Sequence, residues 1–190
     1  MEPPMSVLLA GILIWSLVHF SIRLAPGLRA GLIARVGHFP YQGLFSLALL
    51  AGLFCIISGW KMAGPGEPLY FFPWAKPLSL LLMAMAACLF IAARAPTDIK
   101  QVLRHPQLTS VMLWSMAHLL ANGDTRSLLL FGGLGLWALI EIRLINRAEG
   151  EWKKPPRVGA AKTGVSAVIG LAVFAGLLYA HPWLSGVALF

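Results

Sequence analysis

The chain has 190 residues, 58% of them hydrophobic and 12% charged, with a net charge of +8. Ordinary soluble domains carry about 45–50% apolar and about 25% charged residues, so there are too few charges here to coat a water-facing surface. The composition excludes a soluble globular domain and points to an integral membrane protein, all-α and polytopic, in a single domain over residues 1–190.

Six apolar segments are predicted to cross a bilayer as helices: residues 5–22, 41–60, 77–93, 106–121, 127–145 and 163–180. About 17–25 helical residues span the hydrocarbon. The fourth segment is short by that standard and carries polar residues, as a helix packed inside a bundle would. The first is expected to stay in place, because Glu2 and two prolines stand where a cleaved signal has its basic start.

The first connection holds Arg23, Arg29, Arg35 and His38, the last expected to be solvated. The second, "KMAGPGEPLYFFPWAKP", is rich in Pro, Gly and aromatics, and Tyr70, Phe71, Phe72 and Trp74 read as an interfacial belt. Asn122, Gly123 and Asp124 read as a helix-ending turn, with Asp124 able to cap the fifth span. In that span "FGGLGL" places Gly132 and Gly135 on one side, where a neighbouring helix can come close. Glu141, near its inner end, is expected to pair with an arginine, Arg104 or Arg94 being best placed. "NRAEGEWKKPPRVGAAK" is a bounded loop before the last span, whose far end holds His181. Cys55 and Cys88 lie inside spans at no metal or disulfide spacing and read as small buried hydrophobes. Met112 and Met116 share a face and read as packing.

The distribution of charge argues against nucleic-acid binding and for topology. Arg23, Arg29, Arg35, Arg94, Lys100, Arg104, Arg143, Arg147, Lys153, Lys154, Arg157 and Lys162 fall in alternate connections, leaving only Lys61, Lys76 and Arg126 on the other side. The positive-inside rule then puts both termini outside the cytoplasm, in the periplasm of a bacterial inner membrane. The lipid bilayer is the expected partner, its anionic headgroups meeting the basic side.

Of the five histidines, only His19 and His118 lie well inside predicted spans. Each follows a tryptophan by four residues, Trp15 and Trp114, which puts a flat aromatic and an imidazole on one helix face. Asn122 continues the face of His118, and Ser115 lies nearby. Polar groups at membrane depth are costly and face a partner, a cavity or a cofactor. Heme iron takes axial histidine nitrogen, and aromatics pack on the porphyrin; hydrogen bonding between helices is the plainer use of the same residues. Both readings stay open. His105, before Pro106, marks the start of the fourth helix at the inner mouth, where it could bind an anionic group or cap a pocket. It stands ~140° round the helix from His118 at ~100° per residue, so these two cannot reach one iron, and His19 is the natural second candidate. Depth opposes that pairing. Counted from the basic side, His19 lies about 6 Å up and His118 about 18 Å up, a gap of ~12 Å.

"RHPQLTSVMLWSMAHLLANGD" resembles the signature of the NnrU family of bacterial membrane proteins. The segment "HFSIRLAPGLRAGLIARVGHFPYQGLFS" matches too, through His19, Pro26, Arg29, Leu32, Gly37, Tyr41 and Ser46. The resemblance implies a role in denitrification, in producing active nitrite and nitric oxide reductases, with components of those reductases as partners. The family is also similar to the plastid zeta-carotene isomerase, which implies heme b between two histidines. On that resemblance the ligands fall on His19 and His118, and an "HP" near the end falls on His181; the remaining cofactor-binding candidates are His105, Trp114, Asn122, Arg104 and Arg29, the two arginines facing either propionates or headgroups. The isomerase has extra histidine and polar positions where this chain reads "FGGLGLWALI", so carotenoid isomerisation is not carried over. "RHP" also resembles isoprenylcysteine-type methyltransferases, where the histidine helps to hold S-adenosylmethionine. Their paired glutamates are replaced here by Glu149 and Glu151, split by a glycine and followed by "KKPP". The implied functions are thus a heme-binding accessory or sensor, a heme-dependent isomerase, or a methyltransferase-like protein.

Overall fold

A computed structural model describes residues 3–187. Helix α1 spans Pro3–Leu24, α2 Pro26–Val36, α3 His38–Met62, α4 Ala75–Arg94, α5 Pro106–Ala121 and α7 Ala160–Ser185. Between the last two, α6 runs as one rod over Thr125–Glu149. Five helices (α1, α3, α4, α6 and α7) are long and apolar enough to cross a membrane. The sixth expected span, α5, has 16 residues. At 1.5 Å per residue it rises ~24 Å, less than the ~30 Å hydrocarbon core.

The first connection contains a helix of its own, α2. Pro26 explains both its start and the end of α1. A residue before proline is driven out of the helical region, and Ala25 sits at φ −129°, ψ 55° with Pro26 in the first turn of α2. His105 and Pro106 repeat the device at the start of α5. Between α2 and α3, Gly37 adopts φ 88°, open to glycine and strained for other residues.

The main packing contacts run in a row, α3–α1–α6–α5–α4–α7. Small residues bring α1 and α3 into backbone contact: a Cβ on Gly59 would lie 2.4 Å from the Leu8 nitrogen, and one on Gly11 2.6 Å from the Ile56 nitrogen. Above that contact Leu8, Ile12, Ile56, Leu130 and Phe131 form the buried core, with Trp15, Trp60 and Trp114 packed on it. Only 11–28% of each span's most apolar window is buried, so most apolar side chains face outward, as lipid requires and water does not.

One turn of α6, Leu128–Gly132, is π-helical. The wider turn shifts the helix register, and Gly132 and Gly135 do not serve one contact. Gly135 admits Ser115 of α5 (3.0 Å from an ideal Cβ), Gly133 admits Ile12 of α1, and Gly132 meets only Leu128 of its own helix. The turn before α6 is as expected: the Asp124 carboxylate accepts from the Ser127 N–H at 2.9 Å and the Ser127 hydroxyl at 2.6 Å. The aromatic connection is pinned to that turn, with the Leu69 N–H donating to the Gly123 carbonyl at 2.7 Å and the Tyr70 hydroxyl to the Leu119 carbonyl at 2.8 Å. On the opposite, basic side, Asp98 accepts from the N–H groups of Val158 and Gly159, holding the start of α7.

Candidate functional site

His19 stands on α1 with Nδ1 2.8 Å from the Trp15 carbonyl, one turn earlier. A carbonyl can only accept, so Nδ1 is the donor of this bond and Nε2 is the ring nitrogen left for another partner. The ring lies between Trp15 (centroids 4.7 Å apart), Trp137 (4.9 Å) and Phe45 (6.1 Å). Three helices, α1, α3 and α6, thus fix one imidazole.

This imidazole borders a cavity of about 790 Å³ that opens on the basic side, with His19, Trp137 and Glu141 at its inner end. Its mouth is formed by Lys100, Arg104, His105, Gln107, Glu149, Glu151, Trp152 and Lys153. Ligand pockets of about 300–1,000 Å³ are typical. At the mouth Glu149 joins three elements: it accepts from Arg23 of α1 at 2.9 Å and from Arg104 at 3.4 Å, and Arg104 also donates to the Gly150 carbonyl at 2.8 Å. His105 Nε2 donates to the Asn146 side-chain oxygen at 2.8 Å, tying the start of α5 to α6.

Glu141 does not make the expected arginine pair. It is 7% exposed, and its Oε2 is buried with no hydrogen-bond partner. Arg104 is engaged two turns lower by Glu149 and Gly150. Glu141 instead shares the inner end of the cavity with His19 and Trp137. The indole nitrogens of Trp15 and Trp137 are likewise buried and unpartnered. Buried polar groups without partners are rare and call for an explanation. Here several gather round one imidazole at a cavity floor.

His118 lies elsewhere. Its Nδ1 donates to the Trp114 carbonyl at 2.9 Å, and its ring stacks on Phe131, 4.4 Å between centroids and 20° between planes. It does not border the cavity. Trp114 packs edge-on against the same Phe131, and Asn122 closes the end of α5 by donating its side-chain N–H to the His118 carbonyl at 2.9 Å. Arg29 lies in a separate groove between α2 and α3, 5.7 Å from the Tyr41 ring centroid. Of the candidate residues, His19, His105 and Arg104 share one cavity, whereas His118, Trp114, Asn122 and Arg29 lie outside it. No group of three or more His, Cys, Asp or Glu able to hold a metal ion occurs among the described residues.

The sequence held a signal for the residues not expected at the site. Trp137 and Glu141 repeat the spacing of Trp15 with His19 and of Trp114 with His118, a ring followed four residues later by a polar group. Asn146 and Glu149 carry no such mark. Compared with known families, residues 7–189 match the family described as NnrU protein. No curated protein and no solved structure matches the chain. A match over nearly the whole length, on a helical membrane protein carrying both quoted motifs, makes the chain a member of the NnrU family.

Proposed function

We propose that this NnrU-family protein binds heme b in the cavity on its basic side, where His19 would hold its iron, and acts as an inner-membrane accessory of nitrogen-oxide respiration. The observation that carries the proposal is the placement of His19. A histidine whose Nδ1–H is fixed by a carbonyl has Nε2 left as a ligand, and here His19 borders a cavity of sufficient size. The residues fit the group in two further respects. Trp137 offers a flat wall beside the imidazole, and Arg104, Lys100 and Lys153 at the mouth offer cations for propionates. Heme, when bound, supplies an iron centre whose reactivity is set by its axial ligand and surroundings. The chain's own part is to orient His19 through the Trp15 carbonyl and to enclose the site with Trp15, Trp137 and Phe45. Glu141 leaves an unpaired acceptor beside the site. His118, stacked on Phe131, serves packing in this reading. The link to nitrite and nitric oxide reductases rests on the family name. The test is the reduced-minus-oxidised absorption spectrum of protein purified in mild detergent from cells supplied with heme. Sharp α and β bands are expected; a featureless spectrum rejects the proposal.

A second reading has one observation in its favour. Arg104, His105 and Pro106 meet Glu149 and Glu151 at the same cavity mouth, the elements by which the chain resembles S-adenosylmethionine-dependent membrane methyltransferases. Glu149 is spent on Arg23 and Arg104, which weighs against it as a cofactor ligand. Calorimetric binding of S-adenosylmethionine to protein without heme bands would select this reading.

A further inference from the structure

Helix α2 has no buried residue, although Leu28, Leu32 and Val36 on it are apolar. Between α2 and the start of α3 runs a groove of about 180 Å³ whose walls include Leu28, Leu32, Leu44 and Phe45. Arg29 and Tyr41 border it, the guanidinium 5.7 Å from the ring centroid. Among the described residues Arg29 makes no ion pair, whereas Arg23 and Arg104 both meet Glu149. The chain supplies no anion nearby in sequence, since no Asp or Glu occurs from residue 3 to residue 66. A cation at the rim of an apolar groove, on the basic side of a membrane helix bundle, matches one ligand chemistry: a phosphate joined to a hydrocarbon chain.

We infer that this groove holds one anionic phospholipid, its phosphate on Arg29 and a stretch of acyl chain along Leu28, Leu32, Leu44 and Phe45. A free phosphate would use the cation and leave the four apolar walls bare. A zwitterionic lipid would fill the walls and bring its own cation close to Arg29. The preference is therefore for net negative charge on a lipid. A cation near an anionic lipid surface contributes ~1 kcal/mol, about a fivefold preference.

Native mass spectrometry of the full chain, released from mild detergent with phosphatidylglycerol and phosphatidylcholine of identical acyl chains, reads that preference. One phosphatidylglycerol should be retained about fivefold over phosphatidylcholine. Arg29→Gln should erase the preference and Arg29→Lys should keep it. Arg35→Gln should leave it intact, because Arg35 does not line the groove. Leu32→Gln should weaken both lipids together. An unchanged preference in Arg29→Gln, an equal loss in Arg35→Gln, or displacement of the lipid by inorganic phosphate would each overturn the assignment.

Discussion

Replacing Glu141 by methionine should make the protein more stable and its cavity less useful. Glu141 is 7% exposed with Oε2 unpartnered, so folding strips water from a carboxyl group and gives nothing back at that atom. An unsatisfied buried polar atom costs about 1–3 kcal/mol, more if charged. Methionine keeps the unbranched shape and adapts to its surroundings, so little packing is lost beside Ala138 and Trp137, both buried on the same helix. Arg23 does not become isolated, because it keeps Glu149 at 2.9 Å. A gain of about 1–3 kcal/mol in a chain of this size raises the melting temperature by about 2–12 °C. Circular dichroism during heating in one detergent, for wild type, Glu141→Met and Glu141→Gln, measures it. The expected order is Met, then Gln, then wild type. A drop in Glu141→Met restored by Gln would show that Glu141 makes a stabilising polar contact, and the reasoning from its unpaired oxygen would fail. Stability gained by deleting a polar group at a cavity floor is a common mark of a functional residue.

Gly59→Ala should cost about 3 kcal/mol, the upper end for overpacking, because its Cβ would sit 2.4 Å from the Leu8 backbone nitrogen; Gly27→Ala, with nothing within 4 Å, should be neutral or slightly stabilising in the same melts. Asp124→Ala removes two hydrogen bonds to Ser127 at the start of α6 and should lower stability by about 1–2 kcal/mol, read by the same assay. Alkaline phosphatase fused at the C-terminus should be active and a fusion at Arg157 inactive, as the basic connections require; the reverse would invert the orientation.

Hydropathy made the long spans legible, because a continuous apolar run of that length has few other uses. The α5 segment was legible as the polar helix inside the row, and the Asp124 cap from residue type alone. Helix α2 was not, since Gly27, Ala30, Gly31 and two arginines give a weak pattern, and Pro26, which starts it, also reads as a breaker. The site was half legible. Spacing found His19 beside Trp15, but the same spacing found His118 beside Trp114, and nothing local separates a histidine at a cavity from one stacked on Phe131. Their different depths, from counting residues along each helix, carried that information, and the structure gives them separate ring neighbours, Trp137 and Phe131. The clasp of Arg23 and Arg104 on Glu149 joins residues 126 and 45 positions apart, beyond any local pattern.

The most direct test of His19 as the ligand at the cavity is a matched pair of variants, His19→Ala and His118→Ala, purified alike with heme supplied and compared by absorption spectra at equal protein concentration. His19→Ala should lose the heme bands or change their spin state, and His118→Ala should keep the wild-type spectrum with at most a lower yield. Wild-type bands in His19→Ala together with their loss in His118→Ala would contradict the assignment and move the site to the Phe131 side of the protein.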